Sequence, residues 1–258
     1  MRQSLKDGLR RAANAAAHFK VFPPKGLDFG LDIKRFAAGA PLNVIFDVGA
    51  NLGQSSRTFA QLFPEARIFA FEPIRSTYMQ MEANTTGLPR MRRFNFGLGD
   101  IPSQEHEVFL QERSGWNSLL EGVNAPRSAG DTPERVKTTT VDEVCRTEEV
   151  SHIDLLKTDT EGFDLKVLQG AKRMIDEGNI LFVASETGFL EGDRRHTYFF
   201  ELKDYLEKRN FCFYWLYNPV HRESQIAFCN VLFVHRNAAQ VLRERKLRSN
   251  GNGSSCSG

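Results

Sequence analysis

Cysteine is scarce in this chain, tryptophan scarcer, and a long apolar run is missing altogether. The four cysteines, Cys145, Cys212, Cys229 and Cys256, form no C-x-x-C pair and have no histidine at metal-ligand spacing. That spacing argues against a zinc ribbon or a redox-active dithiol. Three of them read as core or near-core thiols and Cys256 as part of a tail, a usage that suits a reducing compartment, so the cytoplasm is the expected location. No apolar run approaches the roughly 18 residues of a membrane-spanning helix. The opening MRQSLKDGLRRAANAAAHFK lacks the apolar block of a signal peptide, so export is not expected. Net charge is only +2, and no basic stripe with interleaved aromatics is visible, so nucleic acid is not an expected partner.

The charge that is present gathers at the ends. Residues 1–35 carry eight Lys/Arg against three Asp/Glu, and 236–248 carry five against one. Leu5, Leu9, Ala12 and Ala16 share one side of a helix, so 1–42 reads as a basic helical extension. Its functional reading is weak contact with an anionic membrane; its plain reading is a solvated arm. Residues 237–258 read as a basic, then disordered, tail ending in SNGNGSSCSG. Between them, 43–236 forms a single domain.

Within that domain strands alternate with helices. Val44-Ile45-Phe46 is an apolar run stopped by Asp47, as expected of a strand buried on both faces. Helical spacing follows from Leu52 to Phe63, closed by Pro64. A second strand covers 67–71, a helix 74–84, and a third strand Phe94 to Gly97. From Ile101 to Pro133 the alternation lapses, apart from a short strand at Val108 and Leu110. Excursions of that length inside a domain are usually functional or disordered. Thr140 and Glu143 make a capping box for a helix near 141–146. Then come a strand at 153–158, a helix at 165–175, a strand at 180–185 and a helix at 198–208. Two last strands, 211–217 and 226–235, are separated by a polar loop and pair antiparallel. Repeated β-α units predict a doubly wound, mostly parallel sheet with an antiparallel closing strand.

In such sheets ligands sit beyond the carboxyl ends of the strands. Asp47, Glu72, Asp100, Asp159 with Glu161, and Glu186 each fall at a predicted strand end. Helix capping explains some of these acids, because Asp and Glu suit helix N-termini. The first turn, Asp47-Val-Gly49-Ala-Asn51-Leu-Gly53, has neither the glycine spacing of a pyrophosphate-binding turn nor the Gly-Lys-Ser/Thr of a P-loop. Glu72 stands where a ribose-binding carboxylate is expected, able to accept from both ribose hydroxyls. A ribose without a phosphate chain points to S-adenosylmethionine. Asp47 then supplies a charge compatible with a cationic ligand, and Asp100 an acceptor for the adenine amine.

FDVGANLGQSS (46–56), FAFEPIRSTYMQMEAN (69–84), FGLGD (96–100), TTTVDEV (138–144) and LLKTDTEGFDLKVLQGA (155–171) occur in this order. With them the chain resembles the FkbM-type methyltransferases, a branch of the class I S-adenosylmethionine-dependent group. The resemblance implies a Rossmann-like seven-stranded sheet with the last strand antiparallel, and methyl transfer, commonly to oxygen on sugars or natural-product scaffolds. Thr158 and Thr160 depart from the apolar residues that the family prefers around Asp159.

A sugar hydroxyl needs a base, a metal ion or both to become a nucleophile. Asp159 is the first candidate base and Glu161 the second; their plain reading is capping of the helix near Asp164. Asp159 and Glu186 are candidate ligands for one Mg²⁺. Acceptor recognition, for a small molecule or glycan, is assigned to Trp116, Asn117 and Ser118 in the 101–134 excursion, to Glu186, and to His221, an alternative base in the 217–222 loop. The rival readings are another acceptor (nitrogen or carboxylate), a dinucleotide-dependent dehydrogenase, or a binding module without catalysis.

Overall fold

The computed structural model describes residues 25–251 apart from 113, 125 and 127–131. The helix expected in the first twenty residues, and 252–258 of the tail, lie outside the described residues. In chain order the elements are α1 (Phe29–Ala37), β1 (Val44–Val48), α2 (Gln54–Leu62), β2 (Arg67–Phe71), α3 (Arg75–Asn84), β3 (Met91–Phe94), β4 (Gly97–Leu98) and β5 (Gln104–Val108). After a 3-10 turn at Ser114–Trp116 come β6 (Glu134–Thr139), α4 (Val141–Thr147), β7 (Ile153–Thr158), α5 (Asp164–Gln169), α6 (Lys172–Asp176) and β8 (Ile180–Gly188). The chain closes with α7 (Phe199–Glu207), β9 (Phe211–Arg222), β10 (Gln225–His235) and α8 (Ala238–Gly251).

β1 and β7 are buried at every position, as central strands covered on both faces must be. The seven-stranded sheet has the order β3-β2-β1-β7-β8-β10-β9. β10 runs antiparallel to both neighbours, so β9 runs in the direction of the parallel strands. The chain winds outward from β1 to β3 and returns to β7 on the other side of β1. Strand order therefore reverses between β1 and β7, where the carboxyl ends leave a crevice.

Three local differences from the sequence expectations have physical causes. The strand expected at 94–97 is split, because Asn95 Nδ2 turns back to donate to the carbonyls of Glu72 and Pro73 at 3.0 Å each. Its second half, β4, joins β6 and β5 in a separate three-stranded sheet. β6 went unread because in Glu-Arg-Val-Lys-Thr-Thr only Val136 and Thr138 are buried, too little apolar content for a pattern. The polar loop expected after 217 is instead strand: β9 and β10 stay paired as far as Arg222 and Gln225, past the last β8 partner at Gly188. Projecting into solvent, that part of the hairpin needs no apolar face.

The segments flanking 43–236 contribute to the core. Ile33 and Ala37 of α1 are buried with Leu42, Ala238 and Leu242. Ala238, Leu242 and Arg245 share one helical face of α8, and Arg245 points inward. Its Nη1 meets Asp154 Oδ1 at 2.7 Å and donates to the Pro41 carbonyl at 2.9 Å. Asp154 is fully buried at the start of β7 and also accepts from the amides of Asn43 and Val44. Tyr217 Oη donates to buried Asp32 at 3.0 Å, fastening α1 to β9.

Burial works against the Asp154 carboxylate, but His152, Arg245 and the amide of Asn43 hold its pKa below the ordinary value. Its contribution to stability is therefore present above the unfolded-state pKa near 4 and is lost as pH falls through the depressed folded value. Asp154→Ala, which strands Arg245 and two amides, is expected to cost about 3–5 kcal/mol in urea unfolding near neutral pH. Arg245→Ala leaves the amide donors in place and costs less.

Candidate active site

At the end of β1 the backbone turns through left-handed conformations at Gly49 (φ 72°), Asn51 (φ 49°) and Gly53 (φ 84°). The amides of Gly49 and Ala50 both donate to the Phe71 carbonyl, at 3.1 and 3.0 Å, which joins the turn to β2. A Cβ on Gly49 would lie 1.9 Å from the Asp159 carbonyl oxygen, so this glycine is needed for contact as well as for φ. The two backbones meet there without a side chain between them.

Asp47 lies beneath the turn, fully buried and outside the cleft wall. The charge expected to face a cationic ligand is met from within. Lys157 Nζ lies 3.0 Å from Asp47 Oδ1, 3.1 Å from the Gly49 carbonyl and 3.5 Å from Asp159 Oδ2. Burial opposes this ammonium, but the charges of Asp47 and Asp159 hold its pKa well above the ordinary lysine value. Asp47 Oδ2 accepts from Ser56 Oγ at 2.6 Å, which ties α2 to the same group. Sequence reasoning passed over Lys157. The signal was available: a lysine inside Ile-Asp-Leu-Leu-Lys-Thr, a strand predicted to be buried.

Above the turn opens a cleft of about 210 Å³. Val48, Gly49, Asn51 and Glu72 form one wall and Asp159, Glu161 and Glu186 the other. The two oxygens of Glu72 accept from the amides of Asn51 (3.1 Å) and Ile74 (2.9 Å), leaving each with a further lone pair. Burial nevertheless pushes this carboxyl up to about 7. Asn51 Oδ1 is buried with no hydrogen-bond partner.

One oxygen each of Asp159, Glu161 and Glu186 lies within 4.8 Å of the others. Burial, and next the charge of Asp159, pushes Glu161 up to about 8 and Glu186 up to about 9. Burial and Asp159 likewise raise Asp164 behind them to about 6. His196, which sequence reasoning did not single out, stacks on Phe228 at 4.3 Å. Its Nδ1 is 2.7 Å from Asp193 and its Nε2 3.6 Å from Glu186. Mg²⁺ prefers a shell of oxygens, whereas Lys157 and His196 already place nitrogens against Asp159 and Glu186. This donor set does not fit that ion well, and no step is derived through it.

The excursion reaches the cleft through few atoms. Asn117 lines it, its Oδ1 accepting from the Gln111 amide at 2.8 Å. Ser118 is buried and donates to the Glu161 carbonyl at 2.6 Å. Trp116 is 45% exposed and stands outside the wall, with its carbonyl bound by Arg195 at 2.8 Å. Two expected contacts are also displaced. Asp100 lies outside the wall, 3.7 Å from Lys166, because the split of the third strand carries it toward α5. His221 sits exposed on the projecting part of β9, the loop that was to bring it over the cleft being strand.

The profile of the family described as Methyltransferase FkbM domain matches residues 47–213. Among curated proteins, the chain is 28% identical over 155 residues to the 2-O-methyltransferase NoeI of Sinorhizobium fredii, covering 55% of this chain and 63% of that one. It is 25% identical over 151 residues to the hexuronic acid methyltransferase AglP of Haloferax volcanii, covering 57% of each. The chain thus spans about three-fifths of the length of these relatives. A solved rRNA methylase from Streptococcus thermophilus superposes with a TM-score of 0.47 at 11% identity, covering 83% of this chain and 99% of that one.

Two outcomes follow from this geometry. Gly49→Ala should lose much of its soluble yield and thermal stability, because the added methyl meets backbone; a soluble variant with unchanged thermal stability would contradict the close contact. Glu186 favours the folded state below its unfolded-state pKa of about 4.5, an advantage lost as pH rises toward its folded value of about 9. Glu186→Gln is therefore expected to stabilise by about 1–2 kcal/mol at pH 8 and by much less at pH 5, read as the difference in Tm.

Proposed function

The chain belongs to the FkbM-type methyltransferases, and we propose that it carries a methyl group from S-adenosylmethionine to a hydroxyl oxygen of a sugar or sugar-like scaffold. The observation that carries the donor reading is the pairing of Glu72 with the Asn51 turn. Glu72 keeps a free lone pair on each oxygen, the acceptor pattern that a ribose diol requires. Asn51 brings an unpartnered buried oxygen to the same wall, available to a donor's N–H or O–H groups.

The acceptor reading rests on the acidic opposite wall and on the two relatives, one named a 2-O-methyltransferase and the other a hexuronic acid methyltransferase. When bound, the donor supplies a methyl already activated on sulfur, so the protein's part is alignment and proton handling. Glu161 and Glu186 remain largely protonated near neutral pH and act as hydrogen-bond donors to the acceptor's oxygens. Asp159, next to the Lys157 ammonium, receives the proton of the attacking hydroxyl. Asn117 closes the cleft over the acceptor.

S-adenosylmethionine should raise the Tm, whereas NAD should not; no shift at saturating S-adenosylmethionine would refute the donor assignment. Asp159→Asn is expected to lower kcat at least about 100-fold while the Kd for S-adenosylmethionine moves less than about threefold. Methyl-labelled S-adenosylmethionine given with an extract of the producing cell should label a sugar-containing compound with a base-stable methyl ether. A base-labile ester or an N-methyl product would overturn the hydroxyl assignment.

A further inference from the structure

Lys157 is a buried cation that the transfer described above leaves without a part in the chemistry. Its ammonium donates to the Gly49 carbonyl and lies within ion-pair distance of two carboxylates, and each of these three groups belongs to a different piece of the site. Asp47 Oδ1 at 3.0 Å is the end of β1 below the donor turn. The Gly49 carbonyl at 3.1 Å is the donor turn itself. Asp159 Oδ2 at 3.5 Å is the carboxylate assigned to the acceptor's proton. The Lys157 side chain is 4% exposed and Asp47 is fully buried, while Asp159 keeps an exposed side toward the cleft. Backbone contact reinforces the link: the Asp159 amide donates to the Val48 carbonyl at 3.1 Å, and Gly49 has no side chain to hold the two segments apart.

We propose that Lys157 is the positioning residue of the methyl transfer, holding the donor turn through the Gly49 carbonyl and the acceptor's base through Asp159 with one ammonium. The inference rests on the donor and acceptor roles given to those two segments under the proposed function. In-line displacement depends on the distance between donor carbon and acceptor oxygen, and a misplacement of about 1 Å can lower the rate about 100-fold. Lys157 sets that distance by acting on both partners from below, where it touches neither. Arginine cannot replace it, because a planar guanidinium cannot direct its hydrogens to three acceptors spread around a single point. Asp47 balances the charge and orients the ammonium; it has no direct contact with the cleft.

The test separates positioning from folding. Asp47→Asn combined with Lys157→Met removes both buried charges at once, so neither is stranded. The pair is compared with wild type, with Asp159→Asn and with the triple combination. The readouts are Tm, the Kd for S-adenosylmethionine by calorimetry, and the rate of label transfer into the extract compound at saturating donor. The double variant is expected to unfold within a few degrees of wild type and to bind S-adenosylmethionine three- to tenfold more weakly. Its transfer rate should be at least 30-fold slower, and adding Asp159→Asn should slow it less than threefold further, since the two act as one unit. A double variant that folds and keeps its rate within threefold of wild type overturns the proposal, as does full additivity with Asp159→Asn. If the double variant does not fold, Lys157→Arg decides: unchanged donor affinity with a rate at least tenfold lower supports positioning, and an unchanged rate refutes it. Wild-type protein that binds donor but labels no hydroxyl refutes the acceptor assignment instead, and this inference with it.

Discussion

Asp47 and Lys157 face each other across β1 and β7, where strand order reverses in the middle of the sheet. Two apolar residues would have filled this position with less desolvation, since a buried ion pair gains little net stability over a hydrophobic pair. The charges are retained where the sheet's interior meets the crevice, and what they hold is layout. Through Ser56 the pair reaches α2, through Gly49 the turn, and through Asp159 the loop after β7. Removing Lys157 would leave the fully buried Asp47 carboxylate with the Ser56 hydroxyl and no counter-charge beside it. Turn, helix and loop would all lose a common reference point.

The same pair resolves an electrostatic crowding that would otherwise be untenable. Asp47, Glu72, Asp159, Glu161 and Glu186 converge on one end of the sheet, and like charges so close cannot all ionise. Each is accommodated differently. Asp47 shares the ammonium, Glu72 receives two amides, and Asp159 borrows the outer side of Lys157. Glu161 and Glu186 keep their protons. One sheet end therefore offers acceptors on the donor side, and on the far side a carboxylate flanked by two neutral acids.

Much of this was legible in the residues. Apolar runs ending in acids marked the strands and the crevice, and Gly49, Glu72 and Asp159, singled out at strand ends, line that crevice. Features set by side chains that leave the pattern were not legible. Asn95 breaks a strand by bonding backwards, which periodicity does not register. β6 is held by pairing with its neighbours more than by apolar content. α8 looked like a charged tail because Arg245 counts as surface until a buried Asp154 is there to meet it. Lys157 was hidden by composition, one cation among apolar neighbours, and His196 by lying in a polar loop whose fold depends on Asp193 and Phe228. Asp100 and His221 were misplaced by inference at second hand: each position depended on an element boundary that the structure moved.

Three contacts of the excursion share a property. Arg195 binds the carbonyl of Trp116, Arg194 that of Glu121, and Ser118 that of Glu161. In every case the accepting atom belongs to the main chain. The bonds from Arg194 and Arg195 therefore hold the path of the main chain at 116 and 121. The attachment of the excursion is thus set by where the backbone runs, and side-chain acceptors play no part in these three bonds.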